Sequence, residues 1–207
     1  MSQNRVRCAA LCALCAWSMW ATACGGPPPQ VRYYQLAPQV EKAADAAPWT
    51  LGVEYLSADS AYEDARMVYR ESPYRLDYYH YHRWTSAPAL MVSDVLRRAL
   101  QSSGAFMRVE AGYSSRADVL LRGRLVALEE VDAGGRWTAR LVLDLHAVDV
   151  ATNATIWSGV LEREREMGSR SAEGLARAIS EEIAGLAGEL GEELVSAKAS
   201  HDGAARR

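Results

Sequence analysis

Cysteine is scarce in this chain of 207 residues: four occur, at positions 8, 12, 15 and 24, and none follows Cys24. Beyond that point a disulfide framework, a thiolate metal site and a catalytic cysteine are excluded. No second apolar run approaches the roughly 20 residues that a membrane-spanning helix needs. Basic side chains number 23 against 26 acidic ones, a net charge of −3, and no concentrated basic face is present, so nucleic acid is not the expected partner. Serine and histidine occur without a G-x-S-x-G nucleophile elbow, and no glycine-rich phosphate loop appears. Neither an enzyme nor a cofactor is expected.

What is present begins at the N-terminus. Arg5 and Arg7 form a positive segment, no acidic residue precedes Glu41, and Cys8–Met19 supply a short apolar stretch of Ala, Leu, Cys and Trp. Such a segment reads as a targeting signal, too short to be a comfortable membrane span. The small residues Ala21-Thr22-Ala23 then precede Cys24, which predicts cleavage after residue 23 and acylation of Cys24 by a diacylglycerol thioether and an N-acyl (palmitate-type) chain. Two or more chains anchor stably, at about 0.8 kcal/mol per buried methylene. A plain secretory signal cut near Ala23, leaving Cys24 as a free thiol, is the alternative. Residues 24–30 carry Gly25-Gly26-Pro27-Pro28-Pro29, a short stiff tether. Residues 31–199 are expected to form one domain, and residues 200–207 a disordered tail.

Within that domain Val31–Leu36, Trp49–Leu56, Met67–Arg70 and Tyr74–Trp84 read as strands by their β-branched and aromatic content, the last two joined through Glu71-Ser72-Pro73. A helix follows, capped by Thr85 or Ser86, with Pro88 in its first turn, Gly104 at its end, and an apolar face of Leu90, Val92, Val95, Leu96, Ala99 and Leu100. Asp118–Val131, Arg136–Val150 and Thr155–Arg165 alternate apolar and polar residues, with turns at Asp132–Gly135 and Ala151–Asn153, and predict an antiparallel meander. The closing helix, Ser171 to Lys198, places Leu175, Ile179, Ile183, Leu186, Leu190 and Leu194 on one stripe, with Ala184 and Gly188 permitting close approach to a neighbour. The expected fold is α+β: a mostly antiparallel sheet with a three-strand meander and two long helices packed on one face.

The candidate chemistry is thin. His80 and His82, two apart, share a strand face that could serve a metal, but no third ligand accompanies them, so no metal site is assigned. On strict alternation Tyr74, Leu76, Tyr78 and Trp84 join that face, while Tyr79, Tyr81 and Arg83 lie opposite. Aromatic residues on both faces fit either a cross-strand ladder or an exposed surface. In the second reading Arg75, Tyr79, Tyr81 and Arg83 form an interface for a partner or another copy of the chain, since Tyr and Arg are favoured at hot spots.

The order Tyr33-Tyr34-x-Leu36, Leu51-Gly52-Val53, Met67-Val68-Tyr69-Arg70, a tyrosine-rich strand ending His82-Arg83-Trp84, then a Pro88-to-Leu100 helix resembles the ABC-type transport auxiliary lipoprotein family. Its familiar relative is the outer-membrane lipoprotein of the paraquat-inducible (Pqi) system. The resemblance implies a non-enzymatic lipoprotein at the outer membrane, facing the periplasm and anchored in the bilayer through Cys24. It also implies an MCE-domain protein and ABC transporter components as partners in moving lipids or other lipophilic compounds. Gly25 stands where an Asp would favour inner-membrane retention. The alternatives are a structural envelope lipoprotein forming a homo-oligomer and a periplasmic lipid-binding carrier with a deep apolar cavity.

Overall fold

The computed structural model describes residues 29–112, 114 and 116–206. The expected signal peptide, Cys24 and all of the expected tether but Pro29 and Gln30 lie outside the described residues. The elements are β1 (Arg32–Tyr34), β2 (Ala47–Val53), β3 (Ser57–Ala58), a 3-10 turn (Ser60–Tyr62), β4 (Arg66–Ser72), β5 (Arg75–Trp84), α1 (Pro88–Ser103), β6 (Phe106–Ala111), β7 (Val119–Ala133), β8 (Arg136–Asp149), β9 (Thr155–Glu166) and α2 (Ala172–Ala205). Val31–Arg207 make one compact unit.

β7 is the spine. Along one edge it pairs antiparallel with β8, from Val119↔Asp149 to Ala133↔Arg136, and β8 pairs antiparallel with β9. Along the other edge β2, β3 and β4 follow one another at Leu51↔Val119, Ser57↔Arg124 and Val68↔Glu129, all parallel to β7. β6 pairs parallel with β2, β5 antiparallel with β4, and β1 parallel with β5. The sheet is therefore nine-stranded and mixed, which corrects the expectation of a mostly antiparallel sheet built on a three-strand meander.

The physical reason is direction. The chain from Ala47 to Ser72 runs once along the β7 edge, interrupted by loops, so every stretch that touches β7 does so in the same sense. Alternation reports that a strand is half-buried and is silent about which way its neighbour runs. The strand Phe106–Ala111, unanticipated from sequence, completes the parallel side, and α1 supplies the crossover such pairing needs.

The helices pack on each other, α1 against β6 and β7, and α2 against β8 and β9. Leu141, Leu143, Leu145 and Ala147 of β8, Leu96 and Leu100 of α1, and Leu175, Ile179, Ile183 and Leu194 of α2 are fully buried and belong to one core. Each such leucine contributes about 2–5 kcal/mol against truncation to Ala. The β7–β8 hairpin turns on Gly134 and Gly135, whose φ angles of 62° and 82° suit a two-residue turn that other residues strain to adopt. Gly123 meets a different demand: an ideal Cβ there would sit 2.0 Å from the Asp144 carbonyl oxygen, so only glycine lets β7 and β8 approach.

Three helix details differ from expectation. Pro88 forces an extended residue before it, so Ala87 occupies the N-cap position without a side-chain cap, and Thr85 and Ser86 fall outside the helix. Gly191, rather than Gly188, meets a neighbour: an added Cβ would lie 3.1 Å from Ala105 Cβ. The segment expected as a disordered tail continues α2 to Ala205. There Lys198 Nζ lies 3.1 Å from Asp149 Oδ2 and 2.6 Å from Asp202 Oδ1, while His201 Nε2 lies 3.1 Å from Thr152 Oγ1, so the last turns are tied to the β8–β9 loop.

Candidate interaction site

The β4–β5 hairpin holds all four candidate interface residues and does not follow simple alternation. Arg66 pairs with Arg83 and Val68 with Tyr78, so β4 advances two residues while β5 advances five, and β5 bulges around Tyr79–His82. A bulge re-aims side chains and increases local twist. Tyr79 and His82, three apart, come edge to face with ring centroids 5.4 Å apart, and Tyr79 also packs on Tyr69 at 5.1 Å. The expected sharing of one face by His80 and His82 fails for the same reason: His80 is exposed beside Tyr81, whereas His82 is half-buried with Nδ1 2.8 Å from the Tyr34 hydroxyl.

The four candidates therefore separate. Tyr79 is half-buried and its hydroxyl donates to Glu130 Oε2 at 2.9 Å. Tyr81 is exposed. Arg75, near the hairpin tip, lies 3.0 Å from Glu71. Arg83 Nη1 is 3.8 Å from Asp64, which also binds Arg66, and the Arg66 guanidinium lies 4.2 Å from the Tyr78 ring centroid. Tyr74, at the tip itself, is 99% exposed, and Tyr33 on β1 is exposed as well.

Beneath the hairpin lie two glutamates that sequence reasoning missed. Glu129 and Glu130 are adjacent on β7, point to opposite faces, and are both 0% exposed. Glu129 accepts from Tyr62 Oη (2.6 Å), Arg70 Nε (2.9 Å) and Arg140 Nη1 (3.0 Å), and Arg140 reaches on to Glu162 and Glu164 of β9. Burial pushes the Glu129 carboxyl up, but bonds from Arg70, Tyr62 and Arg140 outweigh it and hold the group below the ordinary carboxylate range. The Tyr62 phenol is pushed up by burial first and by Glu129 second.

Glu130 is different. It accepts from Tyr79, its Oε1 has no hydrogen-bond partner, and the nearby guanidinium of Arg170 is 3.6 Å away and mostly engaged with Asp132 at 2.9 Å. Burial dominates and raises its pKa. The signal that could have revealed the pair was the doublet of acids inside the apolar run Leu125–Val131. Both carboxylates are sealed, so the arrangement fixes the hairpin to the sheet and offers no open base or nucleophile. Among the described residues no group of three His, Cys, Asp or Glu side chains is placed to hold a metal.

Comparison with solved structures finds the same fold elsewhere. The Xanthomonas campestris protein XCC0632, of family DUF330, superposes with a TM-score of 0.74 at 20% identity, covering 83% of this chain and 99% of its own. An uncharacterised protein superposes with a TM-score of 0.65 at 12% identity, covering 80% and 99%. The PelC dodecamer subunit of Paraburkholderia phytofirmans aligns at 17% identity with a TM-score of 0.43, over 70% of this chain and 91% of its own. No curated protein matches this chain. The profile of the ABC-type transport auxiliary lipoprotein component matches residues 34–191, from β1 through most of α2. The chain belongs to the ABC-type transport auxiliary lipoprotein family.

Proposed function

We propose that this protein is the membrane-anchored, non-enzymatic accessory subunit of an MCE/ABC-type system that moves lipids or other lipophilic compounds, docking its partner at the periplasmic face of the outer membrane. The observation that carries this reading is the family match across residues 34–191. Acylated Cys24 is the anchor, and the exposed side of the β4–β5 hairpin, with Tyr74, Arg75 and Tyr81, is the docking surface. Tyr79 does not belong to that surface, because its hydroxyl is spent on Glu130. The filled space between sheet and helices supports an accessory role over a carrier: Leu96, Leu100, Leu143, Ile179 and Ile183 occupy it at 0% exposure.

The anchor is tested by intact-mass analysis of the processed protein and by Cys24→Ala. The proposal expects acyl mass on residue 24 and loss of the protein from the membrane fraction in the variant. A mature N-terminus without acyl chains would overturn it. A homo-oligomeric ring without any partner, seen by native mass spectrometry of detergent-extracted protein, would instead favour a purely structural lipoprotein.

A further inference from the structure

At the start of α2, Ser171 Oγ accepts from the Gly174 amide at 3.0 Å and the Leu175 amide bonds the Ser171 carbonyl at 3.0 Å. The amides of Ala172 and Glu173 have no acceptor among the described residues. Both residues line a cavity of about 390 Å³ together with Arg32 and Tyr34 of β1, Tyr79 and His82 of β5, and Arg170. Arg32 sits directly across the ladder from His82, and no carboxylate of the described residues is within ion-pair distance of its guanidinium. The Tyr34 hydroxyl and His82 Nδ1 are 2.8 Å apart; whichever donates, the pair keeps one further donor, the Nε2–H or the phenol O–H. Three acids stand near the cavity: Glu173, 3.3 Å from Arg177, Asp132, held by Arg170 at 2.9 Å, and Glu130, which accepts from Tyr79 and leaves Oε1 unpartnered.

A guanidinium without an ion-pair partner, the first turn of a 34-residue helix with its acceptor-less Ala172 and Glu173 amides, and a phenol–imidazole pair thus line one space large enough for an anion and the group it is attached to. We propose that this cavity binds a phosphate group, held by Arg32, the amides of Ala172 and Glu173, and the Tyr34–His82 pair. The phosphate belongs either to a phospholipid headgroup or to a small phosphorylated solute. Arg32 follows Cys24 by eight residues, a span of roughly 26–29 Å at full extension. On the tethered reading proposed above, that keeps the cavity within reach of the headgroup layer. Phosphate recognition itself does not depend on the tether. Consistent with an unneutralised cation there, His82 is held below its ordinary pKa by burial first and by the charge of Arg32 second.

The test uses residues 24–207 with Cys24→Ser, which keep the whole compact unit from Val31 onward and carry no acyl chain, so failure of the lipidation reading leaves the result untouched. Inorganic phosphate is titrated at constant ionic strength while the His82 ring and the Ala172 and Glu173 amides are followed by NMR. The proposal expects saturable shifts of both amides and a rise in the His82 pKa, with affinity weakened about tenfold or more by Arg32→Ala and partly restored by Arg32→Lys. Arg32 is exposed, and far-UV circular dichroism confirms that the variants remain folded. Arg32-dependent sedimentation with phosphatidylglycerol vesicles, and not with vesicles of uncharged glycolipid, assigns the site to lipid headgroups. Phosphate binding without sedimentation assigns it to a soluble phosphate. Amides and imidazole that ignore phosphate, or that respond equally in Arg32→Ala, overturn the proposal.

Discussion

Replacing Glu129 and Glu130 one at a time by Gln separates two buried acids that are neighbours in sequence and opposites in environment. In Glu129→Gln the amide oxygen can stay on Arg70 and Arg140 and the NH₂ can turn to Tyr62, so shape survives and only charge is lost. Breaking a buried ion pair costs about 3–5 kcal/mol. Here the arginine side chains are 26% and 27% exposed and Arg140 has Glu162 in reserve at 2.6 Å, which lowers the expected cost to about 2–3 kcal/mol. For a domain of this size that is a fall in Tm of roughly 4–12 °C.

Glu130→Gln keeps the acceptor for Tyr79 and removes a charge that the structure scarcely compensates, so its stability at pH 7 is expected within about 1 kcal/mol of the parent. The pH dependences run in opposite senses. Glu129, whose folded pKa is depressed, stabilises above its unfolded value of about 4.3 and loses that contribution as pH falls through the folded pKa. Glu130, whose folded pKa is raised, contributes fully below about 4.3 and loses the contribution as pH rises through the folded value. Thermal unfolding of parent and variants between about pH 3 and 8 reads both effects. Equal losses for the two variants at pH 7, or a Glu129→Gln deficit unchanged at about pH 3, would refute the reasoning.

Three further outcomes are expected. Gly123→Ala places a Cβ against the Asp144 carbonyl and costs about 3 kcal/mol or more in denaturant unfolding, with Gly188→Ala, in open space, as the harmless control. Ser171→Ala removes the cap on Gly174 and costs about 1 kcal/mol, measured the same way. Tyr79→Phe strips Glu130 of its hydrogen-bond donor and destabilises by about 1–2 kcal/mol, whereas Tyr81→Phe leaves stability unchanged; equal effects would mean the bulge is misplaced.

The parts of this fold that were legible in sequence were those with local causes. Leu141, Leu143 and Leu145 alternate with Arg140, Asp144 and His146 because β8 is buried on one face, and the leucine stripe of α2 follows helical spacing because it meets the sheet. Pairing direction has no such local cause: nothing in Trp49–Leu56 states that it lies parallel to Val119–Leu121, since that choice is made by where α1 carries the chain. The same limit applies at the interface. Tyr79 and Tyr81 are alternate residues and read as face-mates, but a bulge specified by register with β4 turns one inward to Glu130 and leaves the other in solvent. The continuation of α2 past Lys198 was hidden because its support, Asp149 and Thr152, lies about 50 residues away in sequence.

In the function proposed here a tethered, folded surface docks a transport partner. The most direct measurement of that docking is in-cell photo-crosslinking from p-benzoylphenylalanine placed at Tyr81, with the captured protein identified by mass spectrometry. An MCE-domain protein in the adduct, lost when Cys24 is replaced by Ala, is the predicted result. Adducts absent, or confined to other copies of this chain, with Cys24 shown to be acylated in the same cells, would contradict it.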